Sequence, residues 1–137
     1  MSNFNKFNYF VQDVANKVHN LGADQIAVIL CETAPVATDH LFSDLSAKKI
    51  SMTNLSSPNI TTTSSTQTGG TYNLKLSNLT LTASGTVPQF RYVVVYNSSA
   101  ASQNLIGYYD YGSELNMNVN DTLVISFDGT NGLISLA

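Results

Sequence analysis

At 137 residues, with 43% hydrophobic and only 11% charged side chains, the chain has the size of one domain and can build a core without disulfides or metal. Its net charge is −3, and of its six Lys and Arg only Lys48 and Lys49 adjoin, which excludes the clustered basic face of a nucleic-acid-binding protein. A single cysteine, Cys31, excludes a disulfide-built scaffold, and no apolar run approaches the roughly 20 residues that span a bilayer.

The first segment predicts an amphipathic helix over residues 1–22. Phe4, Phe7, Val11, Val14, Val18 and Leu21 recur at alternating spacings of three and four, on one face of such a helix. Ser2 or Asn3 is placed to cap its start, and Gly22 follows the last periodic residue as a C-terminal glycine. The apolar face has two destinations, the chain's own sheet or a neighbouring molecule. No basic stretch followed by an apolar run opens the chain, so no signal peptide is expected. The five Asn-x-Ser/Thr matches then read as chance.

Residues 24–32 form a short continuous apolar run and predict a buried strand, with Cys31 as an inert thiol within it. The connector TAPVAT (33–38) is extended, because Pro35 blocks regular pairing, and 39–45 predict one helical turn. From residue 49 the period changes from 3.6 to 2. Short strands are expected around 50–55 and 59–63, and the Ser/Thr/Gly-rich stretch 63–71 reads as an exposed loop. Leu74, Leu76, Leu79 and Leu81 change phase at Ser77-Asn78, where a bulge or turn returns all four to one face. Residues 90–96 are apolar on both parities, the pattern of a central strand covered on two sides. Strands at 105–111, 115–119, 123–127 and 133–136 follow, separated by turn-forming Asn, Asp, Gly and Ser.

Eight or nine short strands at this spacing imply a mainly β fold, whether sandwich, jelly roll or small barrel. The preferred reading is a jelly-roll-like β-sandwich over 23–137 in a single domain 1–137, with the N-terminal helix covering one end or face.

Catalysis needs titratable groups converging in a pocket. The only histidines are His19 and His40, and Asp39-His40 beside Cys31 is the sole arrangement suggesting a nucleophilic site. Adjacent Asp and His point their side chains apart, so no enzyme and no cofactor are expected. The oxygen-rich stretches 118–121 and 128–131 lack the alternating ligands and closing Glu of a calcium loop, and turn formation explains both. The densest aromatic cluster is Tyr108, Tyr109 and Tyr111. Tyrosine offers a flat apolar face with a polar tip, suited to a protein or sugar partner as well as to a core. With Phe4 and Phe7 of the N-terminal face, these three are the candidate partner-binding residues.

The words VHNLG (18–22), TAPVAT (33–38), FRYVVVY (90–96) and LIGYYDYGS (105–113) resemble a group of small virion structural proteins of tailed bacteriophages. In that group a short aromatic helix leads, the TAPVAT-like connector follows, and a closing F-D-G…G-L-x-L pattern matches Phe127-Asp128-Gly129 and Gly132-Leu133 here. The resemblance runs almost end to end and carries no catalytic signature. It implies an accessory particle component made in the host cytoplasm and carried on the virion surface. A capsid cement or decoration protein, bound as dimers or trimers to the major capsid protein, is the foremost expectation. A tail or fibre component touching the host, or a carbohydrate-binding module, are the alternatives.

Overall fold

The computed structural model describes residues 3–129 and 132–136. Strand accounts for 48% of the chain and helix for 8%, so the fold is mainly β with several antiparallel sheets and one helix. Ten strands are formed among the described residues: β1 (Phe4–Lys6), β2 (Ile26–Cys31), β3 (Asn59–Ile60), β4 (Thr62–Thr68), β5 (Thr71–Leu76), β6 (Leu79–Thr82), β7 (Val87–Asn97), β8 (Leu105–Met117), β9 (Thr122–Ile125) and β10 (Ile134–Leu136). The helix α1 covers Tyr9–Ala15, and a 3-10 turn covers Phe42–Leu45.

The largest sheet has the order β1-β8-β7-β2-β3. Its middle includes β2 and β7, both carrying runs of Val and Ile, which pair antiparallel from Ile26↔Asn97 to Cys31↔Tyr92. All six residues of β2 are buried. Because side chains alternate across a strand, Ile26, Val28 and Leu30 enter one core cluster and Ala27, Ile29 and Cys31 the other. β7 divides the same way, Val93 and Val95 against Val94 and Tyr96. The two-sided burial expected for 90–96 is observed at 93–96, while Arg91 and Tyr92 are only half-buried.

The first cluster joins this face to the two smaller sheets, β10-β5-β4 and β6-β9. Leu74, Leu76, Leu79 and Leu81 all lie in it, the break at Ser77-Asn78 being a passage from one small sheet to the other. The second cluster is closed by Phe7, by Leu45 of the 3-10 turn, and by Phe42 and Met52 at its margin. Asp44 secures that turn, its Oδ2 accepting from the backbone N–H groups of His40 and Leu41 at 2.9 Å each.

Several expectations are corrected. The helix over 1–22 is only Tyr9–Ala15. Residues 4–6 are extended instead, because β1 pairs with β8 in the register Phe4↔Tyr109 to Lys6↔Gly107. The chain then turns, Phe7 N–H donating to the Ile106 carbonyl at 3.1 Å, which sinks Phe7 into the second cluster. Lys17 adopts φ 65°, outside the helical region, so Val18 and Leu21 belong to the turns that follow. Val11 of the supposed apolar face is exposed. The expected loop 63–71 is a hairpin, β4 and β5 joined through Gly69 and Gly70, both at positive φ. The segment around 50–55 forms only isolated bridges, Cys31↔Lys49 and Leu55↔Ala83. The two strands expected at 105–111 and 115–119 are one strand, β8, with Gly112 at φ 93° between them. Ser2 as a helix cap, and Thr130 and Asn131 of the last turn, lie outside the described residues.

Candidate functional site

β8 carries the aromatic cluster, and strand alternation splits it. Tyr109 and Tyr111 point to the face shared with β9, while Tyr108 points the other way and packs on Phe7 with ring centroids 5.3 Å apart. Phe4 packs tilted against Tyr109 with ring centroids 5.2 Å apart, and Phe127 approaches the same ring at 6.2 Å. The five candidate residues thus form two groups. Phe4, Tyr109 and Tyr111 share one side, whereas Phe7 is fully buried and offers no surface to a partner.

Tyr109 and Tyr111, with Val93 of β7, floor an open groove of about 620 Å³ whose wall is residues 123–126 of β9 and its continuation. Tyr111 is 53% exposed and Val124 57%, so two of the largest uncovered apolar side chains stand in one place. Single exposed hydrophobics are ordinary, and these two line the same groove.

A charged pair links β7 and β8, on the side of β8 that Tyr108 faces. Arg91 holds Asp110 bidentately, Nε to Oδ1 at 2.8 Å and Nη2 to Oδ2 at 3.1 Å. Asp110 Oδ1 also accepts from Gly112 N–H at 2.8 Å. These contacts hold the Asp110 carboxyl below its ordinary range, the Arg91 hydrogen bond contributing most. Glu114 accepts from the side-chain amide of Gln89. Burial pushes the Tyr109 phenol up to about 12, with the negative charge of Asp128 adding to it.

A second polar assembly lies at the opposite end of β7. Asp13 of α1 is buried and receives His40 Nε2 at 2.8 and 2.9 Å and Asn104 Nδ2 at 3.0 Å. Tyr9 stacks face to face on the His40 ring at 4.2 Å. Alongside, Asn97 Nδ2 donates to Asp24 Oδ2 at 2.7 Å and meets His19 Nδ1 at 3.0 Å. Burial lowers the pKa of His19, against the opposing charges of Asp13 and Asp24. His40 therefore engages Asp13 rather than Cys31. Burial pushes the Cys31 thiol up to about 12, which leaves it almost without nucleophilic thiolate. Among the described residues, no three His, Cys, Asp or Glu side chains converge as for a metal ion. No helix among them is long and apolar enough to cross a membrane.

Leu123, Val124 and Val93 are groove residues that sequence reasoning missed. The signal was the run Leu123-Val124-Ile125, apolar on both parities. Asp13, Asn97 and Asn104 had no local signal, since their partners lie 27 to 91 residues away. No family model, curated protein or solved structure matches this chain.

Proposed function

We propose that this chain is a non-enzymatic structural protein of a phage virion. Its foremost role is that of a capsid cement protein, binding and stabilising the major capsid protein lattice as a dimer or trimer on the particle surface. In this reading the two small sheets over one face of the five-stranded sheet make a jelly-roll-like sandwich. The observation that carries it is the groove where Tyr111 and Val124 stand exposed side by side on a sparsely charged molecule. Many copies on a lattice need only modest individual contacts, because repeated attachment multiplies them. Binding the assembled shell alone stabilises it by mass action. The phage-like words along the chain supply the particle context.

A quantitative stained gel of purified virions tests this. Cement protein is present in many copies per particle, and heads lacking it fail under heat or pressure while tails stay normal. Few copies, with an adsorption defect and intact heads, would instead favour a tail or fibre role. The aromatic floor of the groove also fits a sugar-binding surface. Binding of the isolated protein on a glycan array would favour that alternative.

A further inference from the structure

The layer above the five-stranded sheet ends on a sheet of only two strands, β6-β9. Two strands alone make a marginal sheet. One flank of the pair is closed, Ser56 N–H donating to the Thr82 carbonyl at 3.0 Å and Ser56 Oγ accepting from Thr82 N–H at 2.9 Å. The other flank is the outer edge of β9, and among the described residues no strand pairs with it. Side chains alternate across a strand, yet residues 123–126 line the groove consecutively, so the groove meets that edge.

This edge lacks the devices that keep strands from joining. A free edge is a template for another chain, and is ordinarily blunted by charge, proline, a bulge or brevity. β1, β3 and β10 have two or three residues each, and β1 carries Lys6. β4 has a register shift between Thr62 and Ser64. Residues 122–126, Thr-Leu-Val-Ile-Ser, contain neither charge nor proline, and β9 pairs with β6 without a shift. No residue lining the groove is charged either. Two copies of this surface meet without like charges face to face, so it complements itself about a two-fold axis.

Strand geometry fixes the register of that meeting. Opposed residues of an antiparallel pair turn their side chains to the same face. Leu123 and Ile125 face the core and Val124 is exposed. An axis that keeps those faces in both copies sets one residue against itself. Centred on Val124, it opposes Leu123 to Ile125 and Thr122 to Ser126 of the second copy, all uncharged. Shifted to Leu123 it would set Asp121 against Ile125, and shifted to Ile125 it would set Asp128 against Thr122. The added strand also lies over Tyr109 and Tyr111, the floor that the second layer leaves uncovered.

We infer that the outer edge of β9 pairs antiparallel with the same edge of a second copy, about a two-fold axis at Val124. The two-stranded sheets then join into one of four strands, β6-β9-β9-β6. The contact is small, so the dimer is weak in solution and gains strength when held on a lattice. The pairing supplies the dimer contact of the proposed cement protein and rests on that reading for its setting.

The test uses the full chain in analytical ultracentrifugation from about 10 µM to about 1 mM, the range in which a small contact dissociates. A reversible equilibrium that stops at the dimer is expected. Val124→Lys sets two cations against each other on the axis and is expected to weaken it roughly tenfold or more. Val36→Lys, at an exposed valine outside the groove, is expected to leave it unchanged. Thermal melting verifies that both variants fold. Cysteine cross-linking reads the register independently. Val124→Cys is expected to join to itself on mild oxidation, whereas Thr122→Cys and Ser126→Cys join only when the two are mixed. Cys31 is buried and takes no part.

A monomer across the whole range, association indifferent to Val124→Lys, or self-linking of Thr122→Cys as complete as that of Val124→Cys would overturn the pairing. Growth beyond the dimer would overturn it too, by assigning the groove to a head-to-tail contact such as one with the Phe4–Lys6 edge of the next copy. The particle reading fails separately. If the protein stays monomeric in solution while virions carry many copies, self-pairing falls and the cement role stands. If the dimer forms as expected but virions carry few copies, the cement role falls and the pairing stands.

Discussion

The side-chain amide of Asn97 donates to Nδ1 of His19 at 3.0 Å, and this contact fixes the protonation of the ring. Asn97 Oδ1 accepts from the backbone N–H of Ser99 at 3.0 Å and of Ala100 at 3.2 Å, so the amide cannot turn over. Its NH2 group then faces His19, whose Nδ1 must accept, and the ring proton sits on Nε2. That Nε2 is buried without a hydrogen-bond partner among the described residues. A second proton on the ring would set two donors against each other at the Asn97 contact.

The pH dependence follows in sign. His19 ionises below its ordinary 6.5 in the fold, chiefly because burial disfavours the cation. Between the folded and unfolded values the unfolded chain binds more protons, so stability rises with pH across that window. The melting temperature is expected to hold above pH 6.5 and to decline as the pH falls below it. His19→Gln keeps an acceptor for Asn97 and cannot take a proton, so thermal melts of this variant should lack that decline. An unchanged profile in His19→Gln would remove His19 as its cause.

Asp13 is the hub of the neighbouring assembly. Removing its carboxylate leaves Asn104 buried without that acceptor and His40 Nε2 without its hydrogen-bond partner on α1. Asp13→Ala is expected to cost about 3 kcal/mol in urea unfolding. In a double-mutant cycle with His40→Ala the losses should add to less than their separate values.

Gly107 lies in β8 beneath β1. A Cβ there would collide with the Phe4 ring and come within 2.7 Å of the Asn5 carbonyl oxygen, a backbone atom that cannot swing aside. Gly107→Ala is expected to lever β1 off the sheet. Amide exchange at Phe4–Lys6 should accelerate, with a loss of about 2 kcal/mol in overall stability. β10 and β5 should keep their protection.

Cys31 provides a reporter of opening. With its thiol near 12, only about one molecule in ten thousand carries thiolate at pH 8. A disulfide reagent at pH 8 should label the native protein no faster than it unfolds, and labelling should become immediate in denaturant. Rapid labelling of native protein would mean that the second core cluster opens locally.

The strands were legible where packing acts on both faces. The apolar runs of β2 and β7 encode a covered sheet directly, and their turns were marked by Asn, Gly and Ser. The N-terminal segment misled because strand, turn and short helix in succession reproduced a three-four spacing. Phe4 owes its extended state to Gly107, a hundred residues away, and no local pattern reports that. β4 misled for the opposite reason. Its Ser and Thr residues resemble a loop, yet β-branched threonines suit an exposed strand once Tyr72 supplies a partner across the hairpin. Of the groove, the tyrosines were visible, but the wall facing them was not. Parity alone could have separated Tyr108 from Tyr109 and Tyr111, although not which face was open.

The pairing of β1 with β8 also governs when the molecule can form during synthesis. Residues 4–6 find their partner only in residues 107–109, and β2 waits for residues 92–97. The ribosome has therefore released most of the polypeptide before its first strand can close the sheet. Such distant pairing makes for slow maturation and leaves the apolar β2 uncovered on the nascent chain. A cell producing this protein in quantity would need chaperone capacity during that interval.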